Sequence, residues 1–340
     1  MRVDVIDGLF EDMARQRAFV ATRCPPYERL LGLLPDALPL ERLARAWQGR
    51  RFGGHYERPL LLLACLRDDA LEEGPTHPLH ALVGPAADPE AASLPRVREA
   101  LDADRPVWQK LARRHVQTNE TGRAVAWLWP AHLLGHRLTE PLSLVDVGAS
   151  AGLNLVADQL PRIWSREGGG ALAVDPLPPL GQRTGFDLRP LDVADDLDAR
   201  WLRACVWPGQ TERLDRLERA IAAWRASDPR PELRASAASA VPARLPRDGR
   251  PVLAYQTIVR DYLPPYERTR YEAGMRTWIA ESPPGAAVWV ELEHDAEEPK
   301  FPSRIVAHTS CGSFPLALCE PHPRALRVDE AAVRAFREGP

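Results

Sequence analysis

Lysine is nearly missing from this 340-residue chain: Lys110 and Lys300 are the only two among 44 basic residues. Together with 34 prolines and abundant alanine, the skew reads as GC-rich coding bias, so a single arginine carries little functional weight. Excess charge of one sign is also missing, the net charge being -3, and the basic footprint of a nucleic-acid binder is therefore not there. No apolar run approaches the ~18 residues of a membrane span. The first residues, MRVDVIDGLFEDMARQRAF, are acidic and amphipathic and lack the apolar core and cleavage site of a secretory signal. Cysteines are few and odd in number (Cys24, Cys65, Cys205, Cys311 and Cys319), which predicts reduced thiols and a cytoplasmic setting. Repeats and long low-complexity tracts are absent too. What remains, 45% hydrophobic and 27% charged residues, suffices for one large domain or two ordinary ones.

Residues 1–115 carry helical periodicity punctuated by proline. Leu9, Phe10, Met13, Arg17 and Val20 fit one helical face, and residues 27–34, 40–47, 59–66 and 97–101 predict further helices. The run PLLLLACLRD is apolar all round and predicts a buried helix, while 84–95 has the composition of a surface loop. A helical N-terminal domain, serving as cap or substrate domain, is expected over 1–115, and a second domain over 116–340.

The second part is organised around LSLVDVGASAGLNL at 142–155. Alternating Leu142, Leu144, Val145 and Val147 lead into a small-residue turn and then an apolar-periodic segment, which predicts strand, tight turn and helix. Gly148 and Gly152 permit backbone shapes and close approaches that a Cβ forbids. A helix following the turn would present unpaired N–H groups at its first turn. Downstream, strands are predicted in 183–193 (ending at Asp187), weakly in 232–240, and in 251–259, 286–294, 303–310 and 315–321. Helices fill 195–224, 267–282 and 328–338. The alternation predicts an α/β fold: a Rossmann-like, doubly wound, mostly parallel sheet with an antiparallel edge.

Two chemistries compete for the turn. Gly148-Ala149-Ser150-Ala151-Gly152 matches G-x-S-x-G, the nucleophile elbow of serine hydrolases, with Asp261 and His294 or His322 as partners in a permitted chain order. Such an elbow follows several sheet strands, however, whereas 1–140 reads as helical. The alternative is a nucleoside-cofactor turn after the first strand of a doubly wound sheet. Asp146, Gly148, Ser150 and Gly152 resemble the first motif of class I S-adenosylmethionine-dependent methyltransferases, with Ser150 at the middle glycine position. That resemblance implies an acid at the end of the second strand for the ribose hydroxyls, Asp187 or, in reserve, Asp175.

QTNETGR at 117–123, VDVGASAGLNL at 145–155, FDLRPLDV at 186–193 and YLPP at 262–265 together resemble a bacterial family known as domain-of-unknown-function family 2332, over about residues 55–300. The resemblance implies a methyltransferase-like fold. The chain departs from the family pattern at Tyr255 and Gln256, where a histidine is expected, and in its C-terminal strand pair. On this reading Gln117, Asn119, Glu120 and Arg123 line a cleft with Asn154. Without it, Thr118 or Asn119 merely caps the next helix and Glu120 complements its dipole. Tyr255, Gln256, Asp261 and Tyr262 would face the transferred methyl group, with Asp261 or Glu293 removing a substrate proton.

Metal sites are not expected. His132 and His136 are four apart but lack the glutamate of HExxH. His308, Cys311, Cys319 and His322 are zinc-ligand types, yet a hairpin turning at residues 314–316 would put the two cysteines and the two histidines on opposite faces. The sequence therefore predicts S-adenosyl-L-methionine as cofactor and a small molecule as methyl acceptor, with no nucleic-acid or membrane partner. The alternatives are S-adenosylmethionine binding for sensing or non-methylating chemistry, and a hydrolase with Ser150 as nucleophile.

Overall fold

The computed structural model describes residues 5–294 and 297–339 and divides into two compact units. The first, 1–118 with 194–215, is helical: Leu9–Val20, Pro25–Ala37, Leu40–Ala46, Glu57–Glu73, His80–Val83, Leu94–Ala100, Val107–Arg113 and Asp196–Cys205. Its central helix is Glu57–Glu73. Leu61 to Leu66 are buried there on every face, as the PLLLLACLRD run predicts, and burial continues through Arg67, Asp68 and Asp69. Buried charge is tolerated only when it is paired. Lys110 lies 2.8 Å from Asp68, 3.2 Å from Asp69 and 2.7 Å from Glu72, and Arg200 lies 2.9 Å from both Asp68 and Glu72. Arg200 stands on Asp196–Cys205, so these ion pairs help explain why 194–215 joins the N-terminal helices. The expected surface loop at 84–95 holds a 3₁₀ turn, Pro89–Ala91, and ends where the helix Leu94–Ala100 begins.

The second unit, 119–193 with 216–340, is built on one nine-stranded sheet. Its strands are β1 (Leu142–Val147), β2 (Ser165–Arg166), β3 (Leu180–Asp187), β4 (Glu232–Ala235), β5 (Val252–Thr257), β6 (Ala287–His294), β7 (Ser303–Thr309), β8 (Gly312–Cys319) and β9 (Ala325–Val328). The order is β4-β3-β1-β5-β6-β7-β8-β9-β2. From β4 to β6 all pairs are parallel; β6 to β9 form an antiparallel meander, and β2 adds a parallel edge. The α/β class, the mostly parallel sheet and its antiparallel side agree with the sequence.

The central strands are buried on both faces, which is why they read as near-continuous apolar runs. Leu142, Leu144, Leu253 and Tyr255 face one core with the helix Val125–Leu134 and Phe336 of the helix Glu330–Glu338. Val145, Val147, Ala254 and Trp289 face the other, against Tyr271, Met275 and Trp278 of Pro265–Glu281. The chain leaves β1 for β3 and β4 on one side, then returns to β5 and β6 on the other. That reversal sets the carboxyl ends of β3, β1 and β5 side by side.

Two expectations need correction. The segment after the glycine turn, Leu153–Gln159, is a 3₁₀ helix and not an α-helix. The β7–β8 hairpin turns at Ser310 and Cys311, not at residues 314–316: Thr309 pairs with Gly312, whose φ of +144° suits only glycine, and Pro315 lies within β8 beside a register shift. The short strands β2 and β9 have too little pattern to be foreseen. Among the described residues no helix is long and apolar enough to cross a membrane.

Candidate functional site

The turn after β1 is held almost entirely by its own neighbours. Gly148 (φ +80°) and Ala149 both donate their N–H groups to the Phe186 carbonyl, at 2.8 and 3.0 Å, and Gly152 N–H donates to Ala149 at 2.7 Å. Ser150 adopts φ +53°, a left-handed conformation uncommon for a residue with a Cβ. Its N–H donates to Asp187 Oδ2 at 2.9 Å, and its Oγ accepts from Asn119 Nδ2 at 2.5 Å. Both glycines are required by space as well as by φ. A Cβ on Gly148 would sit 2.5 Å from Val259 Cγ2, and one on Gly152 2.7 Å from Leu233 Cδ2.

Asp187, at the carboxyl end of β3, accepts from Ser150 N–H on one oxygen and from Arg189 N–H (2.8 Å) on the other. A carboxylate accepts about four hydrogen bonds, so acceptor capacity remains. Asp175 precedes β3, far along the chain from its carboxyl end, and is bound to Arg162 at 3.0 Å. Asp187 is therefore the acid at the turn.

Asp146 is buried one residue before the end of β1. Tyr255, its register neighbour on β5, donates from Oη to Asp146 Oδ2 at 3.0 Å. Burial pushes the Asp146 carboxyl up to about 7; the Tyr255 hydrogen bond opposes the rise and the Asp187 charge adds to it. Burial also pushes Tyr255 well above its ordinary value.

The residues expected to face the methyl group occupy two settings. Tyr255 and Gln256 are wholly buried strand residues whose polar atoms are engaged: Gln256 Nε2 donates to Glu293 Oε1 (2.8 Å), and Trp289 Nε1 donates to Gln256 Oε1 (3.1 Å). They support the site from within the sheet. Asp261 and Tyr262 lie beyond β5, half-exposed, with Asp261 3.3 Å from His294 Nε2. The 117–123 cluster disperses. Gln117 belongs to the helical unit, where its backbone meets the Cys205 thiol. Asn119 reaches Ser150. Glu120 is buried, caps the 3₁₀ turn Thr121–Ala124 in place of Thr118 or Asn119, and lies 3.2 Å from both Arg216 and His322. Arg123 donates to the Pro321 carbonyl at 2.9 Å. Asn154 gives its backbone carbonyl to Trp127, and its Oδ1 is buried with no hydrogen-bond partner.

Glu293, considered above as a base, has another geometry. Its carboxylate accepts from Gln256, from Val259 N–H (3.0 Å) and from Arg260 N–H (3.3 Å). Burial pushes it up to about 7, against the pull of these donors and of Arg260. Val259 and Leu233 went unnoticed in the sequence because an aliphatic side chain carries no signal of which glycine it will cover.

The turn's chemistry is selective. Four of its amides are spent on protein carbonyls or on Asp187, whereas a phosphate cradle requires amides directed at the ligand. Asp187, a partly exposed carboxylate at the carboxyl end of β3, favours hydroxyl donors or a cation. Ser150 is 4% exposed and hydrogen-bonded to Asn119, while among the described residues His294 faces Asp261 and His322 faces Glu120. The four zinc-type residues are likewise dispersed. His308 sits between Glu291 and Ser313 (2.7 Å each), Cys311 is exposed in the turn, and Cys319 is buried opposite Ser303.

Fold and site together define an α/β protein whose parallel strands end on a glycine turn answered by an acid from the neighbouring strand. A family model described as an uncharacterized protein conserved in bacteria (DUF2332) matches residues 9–327, and the chain belongs to that family. No curated protein matches the chain.

Proposed function

We propose that this protein binds S-adenosyl-L-methionine at the β1 turn and transfers its methyl group to a small molecule. The observation that carries the reading is the link between Ser150 N–H and Asp187, which fixes a carboxylate with spare acceptor capacity beside an exposed Gly148. A parallel β4-β3-β1-β5-β6 order with its reversal at β1 supports a Rossmann-like sheet, in which ligands lie outside the carboxyl strand ends. The donor set fits the cofactor: Asp187 would accept the ribose hydroxyls, Asp146 and the orphaned Asn154 Oδ1 favour the ammonium end, and the spent amides disfavour phosphate. Bound there, the cofactor supplies an electrophilic methyl group on a sulfonium. Asp187 and the Asn119–Ser150 pair orient it, which matters more to a methyl transfer than acid–base chemistry does. In this reading residues 1–115 form the substrate domain. Five free cysteines favour a reducing, cytoplasmic setting.

The test is incubation with methyl-labelled S-adenosylmethionine and a bacterial metabolite extract, followed by mass spectrometry. Labelled product that disappears with Asp187→Ala supports methyl transfer. Binding without a labelled product would redirect the proposal to sensing or non-methylating chemistry.

A further inference from the structure

The loop after β5 is strained and held by one buried carboxylate. Ile258 adopts φ +53°, and for a β-branched residue the left-handed region is a genuine outlier that surrounding structure must enforce. Three contacts enforce it. Ile258 N–H donates to the Leu292 carbonyl at 2.8 Å, and the next two amides, Val259 and Arg260, both point to Glu293, which is 3% exposed. Glu293 is itself fixed by Gln256, and Gln256 by Trp289. The turn so formed presses Val259 onto Gly148, with Cγ2 lying 2.5 Å from where a Cβ would stand.

We propose that Glu293 is a positioning residue: by holding residues 258–260 in their strained turn it seats Val259 against Gly148 and so sets access to the β1 turn. What binds there rests on the cofactor reading above; the hold itself does not. The carboxylate's surroundings make it responsive to pH. Around it stand Gln256 on β5, the Arg260 side chain from the turn, Glu291 on its own strand, its register partner Arg304 on β7, and Arg268 and Tyr271 of the helix Pro265–Glu281, with Glu272 paired to Arg260. Desolvation dominates over these charges and keeps protonation near pH 7. A protonated carboxyl has less acceptor strength for two amides and a carboxamide, so the hold weakens as pH falls.

Hydrogen exchange of the Val259 and Arg260 amides tests this, corrected for intrinsic pH dependence, in the wild type and in Glu293→Gln between pH 6 and pH 8. The expected result is protection about tenfold lower at the acidic end in the wild type, and low and flat with pH in the variant, on the scale of a lost charge-assisted hydrogen bond. Asp146 titrates in the same range, and Asp146→Asn should keep the wild-type profile at 259 and 260. Affinity for S-adenosylhomocysteine should weaken about tenfold in Glu293→Gln. Flat wild-type protection that the variant leaves unchanged would overturn the proposal, as would lost protection with unchanged affinity. Failure of the wild type to bind the nucleoside would sink the cofactor reading alone, and the exchange profile would still decide the role of Glu293.

Discussion

The turns after β1 and β5 solve the same problem with different materials. Each contains a non-glycine residue in the left-handed region, Ser150 and Ile258, and each is steadied by a carboxylate from the next strand outward, Asp187 from β3 and Glu293 from β6. Asp187 is partly exposed and keeps acceptor capacity for a ligand. Glu293 is buried and accepts from three protein donors. One carboxylate can therefore both hold a turn and meet a ligand, while the other only holds.

At fixed pH the largest effect should come where the two turns touch. Gly148→Ala adds a Cβ at φ +80° against Val259 and should destabilise the chain by about 3 kcal/mol in chemical denaturation. Adding Val259→Ala should recover part of that loss, and full additivity of the two changes would break the comparison by showing that the turns do not meet. Asp187→Ala strands the Ser150 and Arg189 amides and should cost about 2 kcal/mol, together with ligand affinity.

Asp146 sharpens the contrast through pH. Its folded-state value near 7 exceeds the ordinary 3.8, so the stability it contributes is fully present below about pH 4 and lost as pH rises through about 7. Asp146→Asn should flatten this part of the profile by about 4 kcal/mol, measured as denaturation midpoints from pH 4 to pH 8. An unchanged slope would mean that the carboxylate is better solvated than its burial indicates. Ser150→Ala should have the smallest effect, about 1 kcal/mol, since only the Asn119 hydrogen bond is lost while the N–H still reaches Asp187.

Much of this frame could be read from the chain. Alternation in β1, the β-branched and aromatic content of β6 and the glycines at 148 and 152 placed the central strands and their turn, because each rests on local chemistry. The strand end at Asp187 was legible because Pro190 interrupts the chain soon after it, whereas a role for its carboxylate came only from the family resemblance. What stayed hidden depends on tertiary packing. Tyr255 and Gln256 looked like contacts, since a polar residue near a strand end gives no sign that Asp146 or Glu293 will engage it inside the sheet. Nothing about Ile258 announces a left-handed backbone, and the 117–123 cluster dispersed because Glu120 and Arg123 found partners around 216 and 321.

The most direct measurement is isothermal calorimetry of S-adenosylmethionine and S-adenosylhomocysteine against the wild type and Asp187→Ala. The cofactor assignment predicts saturable binding of both to the wild type and a loss of at least about tenfold in the variant. No heat from either ligand at millimolar concentration, or equal affinity for both proteins, would contradict it.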